Sequence, residues 1–157
     1  MSIYSTREVV TKHLLREKRD KKISYEELAG KIGKNKVWLA AALNGNATMD
    51  EKEARTICSA LGIGEEYIED YIKNLTQPPY RHPPEGFKGV CADPTIYRMY
   101  EVINVYGEAL KDLIHEEFGD GIMSAIGLQV NFEKKKKEDG DHVVITLDGK
   151  FLPYKKW

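Results

Sequence analysis

Residues 93–127 read DPTIYRMYEVINVYGEALKDLIHEEFGDGIMSAIG and decide how the second half of the chain folds. Asp93 followed by Pro94 predicts a helix start, because the Asp side chain accepts hydrogen bonds from unpaired N–H groups and proline fits the first helical position. Apolar residues recur at helical spacing from Ile96 to Ile114, and Gly119 predicts the helix end. Further apolar residues lie on the other side of this helix: Val102, Val105 and Ala109. The pattern indicates a long helix that is covered on more than one face.

Alternating apolar and polar residues follow this helix and predict two or three strands. The apolar positions are Leu128, Val130 and Phe132, then Val143, Ile145 and Leu147. Asp148-Gly149 is a strong turn signal before Phe151 and Leu152. Between the two alternating runs, the four lysines Lys134–Lys137 begin a charged connection, which we interpret as a solvated hairpin end without a functional role.

The first half of the chain predicts helices. Three S/T-x-x-E capping boxes open them, because such side chains pair with the free N–H groups of a first helical turn: Ser5 with Glu8, Ser24 with Glu27, and Thr48 with Glu51. A further helix is expected from Glu65 to Leu75, and with the second helix of the pair described next we expect about five helices in total. Small and apolar residues are spaced as in two helices packed through a glycine turn, a helix-turn-helix-like arrangement: Leu28, Ala29, Ile32, Gly33, Leu39 and Ala42.

A proline-rich stretch separates the two halves. Pro78, Pro79, Pro83 and Pro84 lie within ten residues, where the missing N–H groups oppose both helix and central strand. We therefore predict an all-α domain over residues 1–77, a linker over 78–92, and a second domain over 93–157 that oligomerises. The fold class is α+β, and the small second domain is expected to associate with copies of itself because it buries too little surface alone.

Composition excludes several classes of function. The chain of 157 residues has 24 Lys or Arg and 25 Asp or Glu, a net charge of −1, so it lacks the global positive field of many nucleic-acid-binding proteins. With 31% charged residues and no long apolar run, a membrane anchor is not expected. No secretory signal is apparent, and the two cysteines, Cys58 and Cys91, do not form a disulfide framework. We expect a reducing, cytoplasmic location.

DNA binding through the helix-turn-helix-like segment is the alternative function. The residues expected to face outward from its second helix include Asn35, Lys36 and Val37, without the Arg or Gln that reads base edges well. The run WLAAAL from Trp38 is apolar all round and suits a buried helix better than one in a DNA groove. A purely structural role for the helical domain is therefore favoured.

Arg98, Glu101 and Ser124 form the chemically interesting group. The i,i+3 spacing of Arg98 and Glu101 places a guanidinium and a carboxylate on one helix face, beside the apolar stripe, where the pair could be desolvated. On spacing alone, such a pair is a surface salt bridge. Neither HExxH nor paired CxxC occurs, and the four histidines lack metal-ligand spacing, so no metal site is proposed.

The stretch quoted above, with VVITLDGKFLPYK at residues 143–155, closely resembles cyanase, the cyanate hydratase or cyanate lyase family. The segment LAGKIGKNKVWLAAALNG at residues 28–45 is similar to the N-terminal domain of that family, so the resemblance covers essentially the whole chain. Its catalytic residues are an arginine and a glutamate in YR-x-YE and a serine in GDGI-x-SAI. These positions correspond here to Arg98, Glu101 and Ser124.

The resemblance implies bicarbonate-dependent decomposition of cyanate to carbon dioxide and carbamate, with bicarbonate as a cosubstrate and no cofactor. It also implies a homodecamer built from dimers, with sites formed where several C-terminal domains meet and no nucleic acid or membrane as partner. A positioning role for Ser124 is favoured over a nucleophilic one, because no histidine or lysine lies in the cluster to take its proton. A structural assembly protein, with Arg98 and Glu101 as a plain salt bridge, is the remaining alternative.

Overall fold

The computed structural model describes residues 5–79 and 93–157. The chain divides into two compact units, Met1–His82 and Pro83–Trp157. Most of the predicted linker, residues 80–92, lies outside the described residues, and Cys91 lies there too.

Five helices make up the described part of the first unit, as the sequence predicts: α1 (Arg7–Asp20), α2 (Tyr25–Ile32), α3 (Lys36–Leu43), α4 (Glu51–Ala60) and α5 (Glu65–Thr76). Their apolar faces meet in one core, in which the side chains of Leu14, Leu28, Leu39, Ile57 and Leu75 are fully buried. The helix-turn-helix-like packing is present: α2 ends at Gly33, which adopts a left-handed conformation that glycine tolerates without strain, and α3 follows.

The helix starts agree only partly with the predicted capping boxes. Ser24 and Glu27 form the expected reciprocal box. α1, however, is capped by Thr6, whose side chain accepts from the N–H of Val9, so Ser5 is not its cap. α4 is capped by Asp50, not Thr48. Tertiary packing decides where α4 begins. Met49 is buried and its N–H donates to the carbonyl of Leu75, and these contacts hold Met49 outside the helix.

The second unit consists of α6 (Pro94–Phe118), β1 (Gly121–Met123), β2 (Gln129–Lys137), β3 (Gly140–Asp148) and β4 (Phe151–Pro153). Asp93 caps α6 by accepting from the N–H groups of Thr95 and Ile96, and Gly119 ends it, as predicted. The described part of this unit has four strands instead of two or three. β1 was missed because three residues are too few to show a period-two pattern.

The strands form two antiparallel pairs, β1 with β4 and β2 with β3. Lys134–Lys137 lie inside β2, paired with β3, so the predicted charged connection from Lys134 to Asp141 is reduced to the turn at residues 138–139. Asp148-Gly149 does not close a hairpin between β3 and β4, because β4 pairs with β1. These residues instead mark where the chain passes from one strand pair to the other.

Burial differs sharply between the two units. Within the described ranges, every buried hydrophobic side chain lies between Val10 and Leu75, in the first unit. In the second unit, α6 has no buried residue, and the apolar face of the β2–β3 hairpin, with Phe132, Ile145 and Leu147, is exposed. The described helices include none that is long and apolar enough to span a bilayer.

Candidate active site

Arg98 and Glu101 lie near the N-terminal end of α6. Arg98 Nη1 donates to Glu101 Oε2 at 3.0 Å, the i,i+3 contact expected from the sequence. The ring centroid of Tyr97 lies 5.9 Å from Arg98 Cζ, within the range of a cation–π contact. Within the described residues, Glu101 is the hydrogen-bond acceptor of this guanidinium, so the other N–H groups of the fork are available for an anion.

The pair is well exposed in a single chain, with Arg98 69% and Glu101 48% accessible. The expectation that the two side chains are desolvated is therefore wrong for one chain taken by itself. The physical reason is that none of the described residues of the second unit buries this part of α6. At this exposure the ion pair contributes little to stability, at most about 0.5 kcal/mol.

Ser124 has very different surroundings, because it is 7% exposed and directly follows β1. Its Oγ accepts hydrogen bonds from the N–H groups of Ile126 at 3.2 Å and Gly127 at 3.3 Å. Its own N–H donates to the carbonyl of Lys150 at 2.8 Å. Two donors thus occupy the lone pairs of the hydroxyl oxygen, and its single proton is left to donate.

The structure does not bring Arg98 and Ser124 together within one chain. Arg98 lies one turn into α6, and the helix from there to Phe118 is about 30 Å long at 1.5 Å per residue. Ser124 follows β1 at the opposite end, where the Phe118 ring stacks on Phe151 of β4, the strand paired with β1, with centroids 5.1 Å apart. One small ion cannot contact both side chains of the same chain.

Sequence reasoning missed the groups that hold Ser124 in place. The carbonyl of Lys150 and the close approach of Gly149 come from the connection between β3 and β4, about 25 residues further along the chain. A local motif contains no signal for such a contact. Among the described residues, no group of three or more His, Cys, Asp or Glu side chains could hold a metal ion.

The outward side of α3 has few polar groups available for DNA. Asn35 caps the helix by accepting from the N–H of Val37 at 2.8 Å. Lys36 pairs with Glu26 of α2 at 3.0 Å. Val37, Trp38 and Ala40 are partly buried. These contacts favour a packing role for α3.

Comparison with known proteins covers both units. A family model described as cyanate hydratase, N-terminal, matches residues 7–72, and one described as cyanate lyase C-terminal domain matches residues 88–156. Cyanate hydratase of Trichormus variabilis is 43% identical over 149 residues, which are 94% of this chain and 97% of the relative. Cyanate hydratase of Laccaria bicolor is 40% identical over 157 residues, 99% of this chain and 92% of the relative. The crystal structure of cyanase from T. urticae matches with a TM-score of 0.77 at 40% identity, covering 92% of this chain and 97% of that one.

Fold and site together define the class as an α+β enzyme. A helical domain comes first, and a domain of one long helix and short antiparallel strands follows. All three candidate catalytic residues lie in this second domain. The matches to both units then give the family. The chain belongs to the cyanate hydratase, or cyanate lyase, family and is a lyase.

Proposed function

We propose that this protein decomposes cyanate in a bicarbonate-dependent reaction. Cyanate, bicarbonate and one proton give carbamate and carbon dioxide, and carbamate with a second proton gives ammonia and a second carbon dioxide. Membership of the family supports the substrate. The observation that supports the chemistry most directly is the presence of two groups in one small domain: a forked cation, Arg98, and the hydroxyl of Ser124, which accepts two N–H groups and has no acceptor for its proton among the described residues.

Both reactants are anions, so the site must overcome their mutual repulsion. Arg98 stays charged at any working pH and can bind a carboxylate-like ion through two parallel N–H groups. Fixed donors aimed at the developing charge lower the barrier without solvent reorganisation. Holding the two ions in a reactive geometry adds the benefit of proximity, about 7 to 11 kcal/mol in favourable cases, so the bond-forming step needs no cofactor.

Glu101 orients Arg98. Its carboxylate holds Nη1 of the guanidinium at 3.0 Å and so fixes which edge of the fork faces the substrate. A carboxylate placed directly against the anions would repel them. We therefore assign to Glu101 the positioning of the arginine, with the opposite edge of the guanidinium left for the ions.

Ser124 acts as a hydrogen-bond donor in this mechanism. The oxygen lone pairs needed for nucleophilic attack already accept from Ile126 and Gly127. The hydroxyl proton can instead be donated to a substrate oxygen or nitrogen without adding charge to the site. Bicarbonate then supplies the nucleophilic oxygen.

A complete site requires more than one chain, since Arg98 lies near the start of α6 and Ser124 lies after β1, beyond the other end of the helix. The exposed apolar residues of this helix favour a second copy as the covering partner: Val102, Ile103, Val105, Tyr106, Leu110 and Leu113. Burial in such an assembly would also withdraw Arg98 from water. Its attraction for anions would then be stronger, because the dielectric constant of a buried site is lower than that of water. We infer that the working form is a homodecamer built from dimers and that it is located in the cytoplasm.

The test of function is ammonia release from cyanate, measured with and without added bicarbonate in carbonate-depleted buffer. We expect release that rises and saturates with bicarbonate, and loss of activity in Ser124→Ala and Glu101→Gln. Asp20→Asn is the matched control for Glu101→Gln, because Asp20 forms a similarly exposed pair with Arg16 on α1. Absence of bicarbonate-stimulated ammonia release from the assembled wild-type protein would refute the proposal.

The assembly is tested by sedimentation of Val105→Glu. Val105 is 64% exposed on α6, and a charge there should dissociate the oligomer and abolish activity together. Val9→Glu on α1 is the control, since Val9 is similarly exposed, at 54%, but lies in the other unit. An active monomer would contradict a site shared between chains.

DNA binding is not supported as a second function. The polar residues of α3 are engaged in capping and in the pair with Glu26. Up to Gln77, 13 basic and 12 acidic residues leave a net charge of only +1, which gives no strong attraction to a polyanion.

A further inference from the structure

Gly149 occupies the connection between β3 and β4, in a dipeptide whose sequence signals a turn. Asp-Gly turns favour glycine because it tolerates a positive φ. Gly149 is not among the glycines with positive φ in this protein. Its lack of a side chain must therefore serve a different purpose.

Close packing explains the glycine. A Cβ atom placed on Gly149 would lie 2.5 Å from Met123 Cγ, 2.8 Å from the carbonyl oxygen of Ser124 and 3.2 Å from Leu128 Cδ1. The first two distances are too short for real atoms. Met123 and Leu128 can move their side chains. The carbonyl of Ser124 has less freedom, because hydrogen bonds hold the N–H of Ser124 before it and the N–H groups of Ile126 and Gly127 after it.

Ser124 is fixed in a narrow frame. Its N–H donates to the carbonyl of Lys150, the residue after Gly149, and its Oγ accepts from two N–H groups of the following turn. Gly149 thus lies against the carbonyl oxygen of Ser124, while the carbonyl of Lys150 accepts a hydrogen bond from the N–H of Ser124. A side chain at position 149 would push on the carbonyl of the residue whose N–H is bonded to Lys150.

We propose that Gly149 is a positioning residue for Ser124: the absence of a side chain lets the β3–β4 connection lie directly against the Ser124 backbone and sets where the hydroxyl points. The inference rests on the proposed role of Ser124 as a donor in the active site. A contact of 2.8 Å must open by at least about 0.6 Å to become an ordinary van der Waals contact, and catalytic groups have to be held to within about 0.5 Å. We expect Gly149→Ala to lower kcat for ammonia release by about tenfold or more, since misplacement by 1 Å can cost about a hundredfold.

The experiment compares Gly149→Ala with the control variant Gly30→Ala, which adds a methyl group in the first unit where nothing lies within 4 Å. Both variants are measured for kcat, the KM of each substrate, sedimentation and thermal unfolding. We expect only Gly149→Ala to lose kcat, with KM nearly unchanged and the assembly intact, which a purely structural defect would not produce.

Hydrogen exchange supplies a readout that does not depend on chemistry. Gly149→Ala should speed exchange in the peptide covering residues 123–128, where the amides of Ser124, Ile126 and Gly127 are bonded, and leave the peptide around Leu39 unchanged. Equal kcat and equal exchange in Gly149→Ala and Gly30→Ala would overturn the inference.

The double variant Met123→Ala/Gly149→Ala separates the two close contacts. If the Ser124 carbonyl is the critical neighbour, removing the Met123 side chain will not restore kcat; full restoration would assign the effect to Met123 and overturn the inference. Loss of assembly in both variants would show a structural role and would also overturn it. An inactive wild-type protein would refute the proposed function instead, while the exchange measurement would still report on the placement of Ser124.

Discussion

Replacing Arg98 by lysine separates the charge of the guanidinium from its geometry. The structure shows one N–H group of Arg98 engaged by Glu101 at 3.0 Å, which leaves a planar edge to bind an anion through two bonds. A lysine ammonium keeps the charge but is a single point, so it must divide its donors between Glu101 and the substrate. We therefore expect Arg98→Lys to bind and orient the ions poorly.

The expected magnitude follows from the loss of one charged hydrogen bond in the transition state. Such a bond contributes about 1.5 to 3 kcal/mol, which corresponds to a roughly 10- to 150-fold fall in kcat/KM. Turnover itself should fall by more than about tenfold, because the second bond aligns the reacting ions. Stability should hardly change, since the pair is exposed and lysine can still contact Glu101.

The assay is steady-state ammonia release from cyanate at saturating bicarbonate, combined with thermal unfolding and sedimentation of the same samples. Arg16→Lys, which changes an equally exposed arginine on α1, should leave kcat/KM unchanged. If Arg98→Lys has near-normal kinetics, two-point binding by Arg98 is excluded. If its activity falls only together with the oligomer, Arg98 acts in assembly and the reasoning on the fork is refuted as well.

Three further predictions concern the helical unit. Leu39→Ala, at a fully buried position, should lower the free energy of unfolding by about 3 kcal/mol in urea denaturation; a loss below about 1 kcal/mol would contradict tight packing there. Burial raises the pKa of the Cys58 thiol to about 11, so mass spectrometry should find Cys58 unalkylated by iodoacetamide at pH 8 in the native protein and alkylated after unfolding, and native labelling would contradict this. The backbone hydrogen bond from Ser24, followed by that from its side chain, lowers the pKa of Glu27 below its usual 4.5, so ionised Glu27 stabilises the fold above that pH and the contribution disappears as the pH falls through the lowered pKa. Glu27→Gln keeps the cap but not the charge and should therefore unfold at lower urea than wild type at pH 7, with a difference that shrinks as the pH falls below 4.5; a difference that stays constant or grows as the pH falls would refute the sign.

Local patterns in the sequence were sufficient for the helices, whereas the candidate catalytic residues came from the resemblance to the cyanase family. The cap at Asp93 with Pro94, the stop at Gly119 and the box of Ser24 with Glu27 involve groups within a few residues of each other, so sequence spacing alone specifies them. The apolar spacing in α2 and α3 also identified residues that are buried, among them Leu28, Ala29 and Leu39. The motif around Arg98 and Ser124 pointed to the site residues, whose roles remain predictions.

Tertiary structure decided the features that depend on contacts between distant segments. Burial of Met49 moved the cap of α4 to Asp50, and pairing of β4 with β1 turned Asp148-Gly149 from a hairpin into a passage between strand pairs. Because Gly149 approaches a backbone about 25 residues earlier in the chain, no local pattern could show why it must be glycine. The separation of Arg98 from Ser124 likewise follows from the length of α6 and the strand pairing at its far end, and neither can be read from the spacing of the two residues in the sequence.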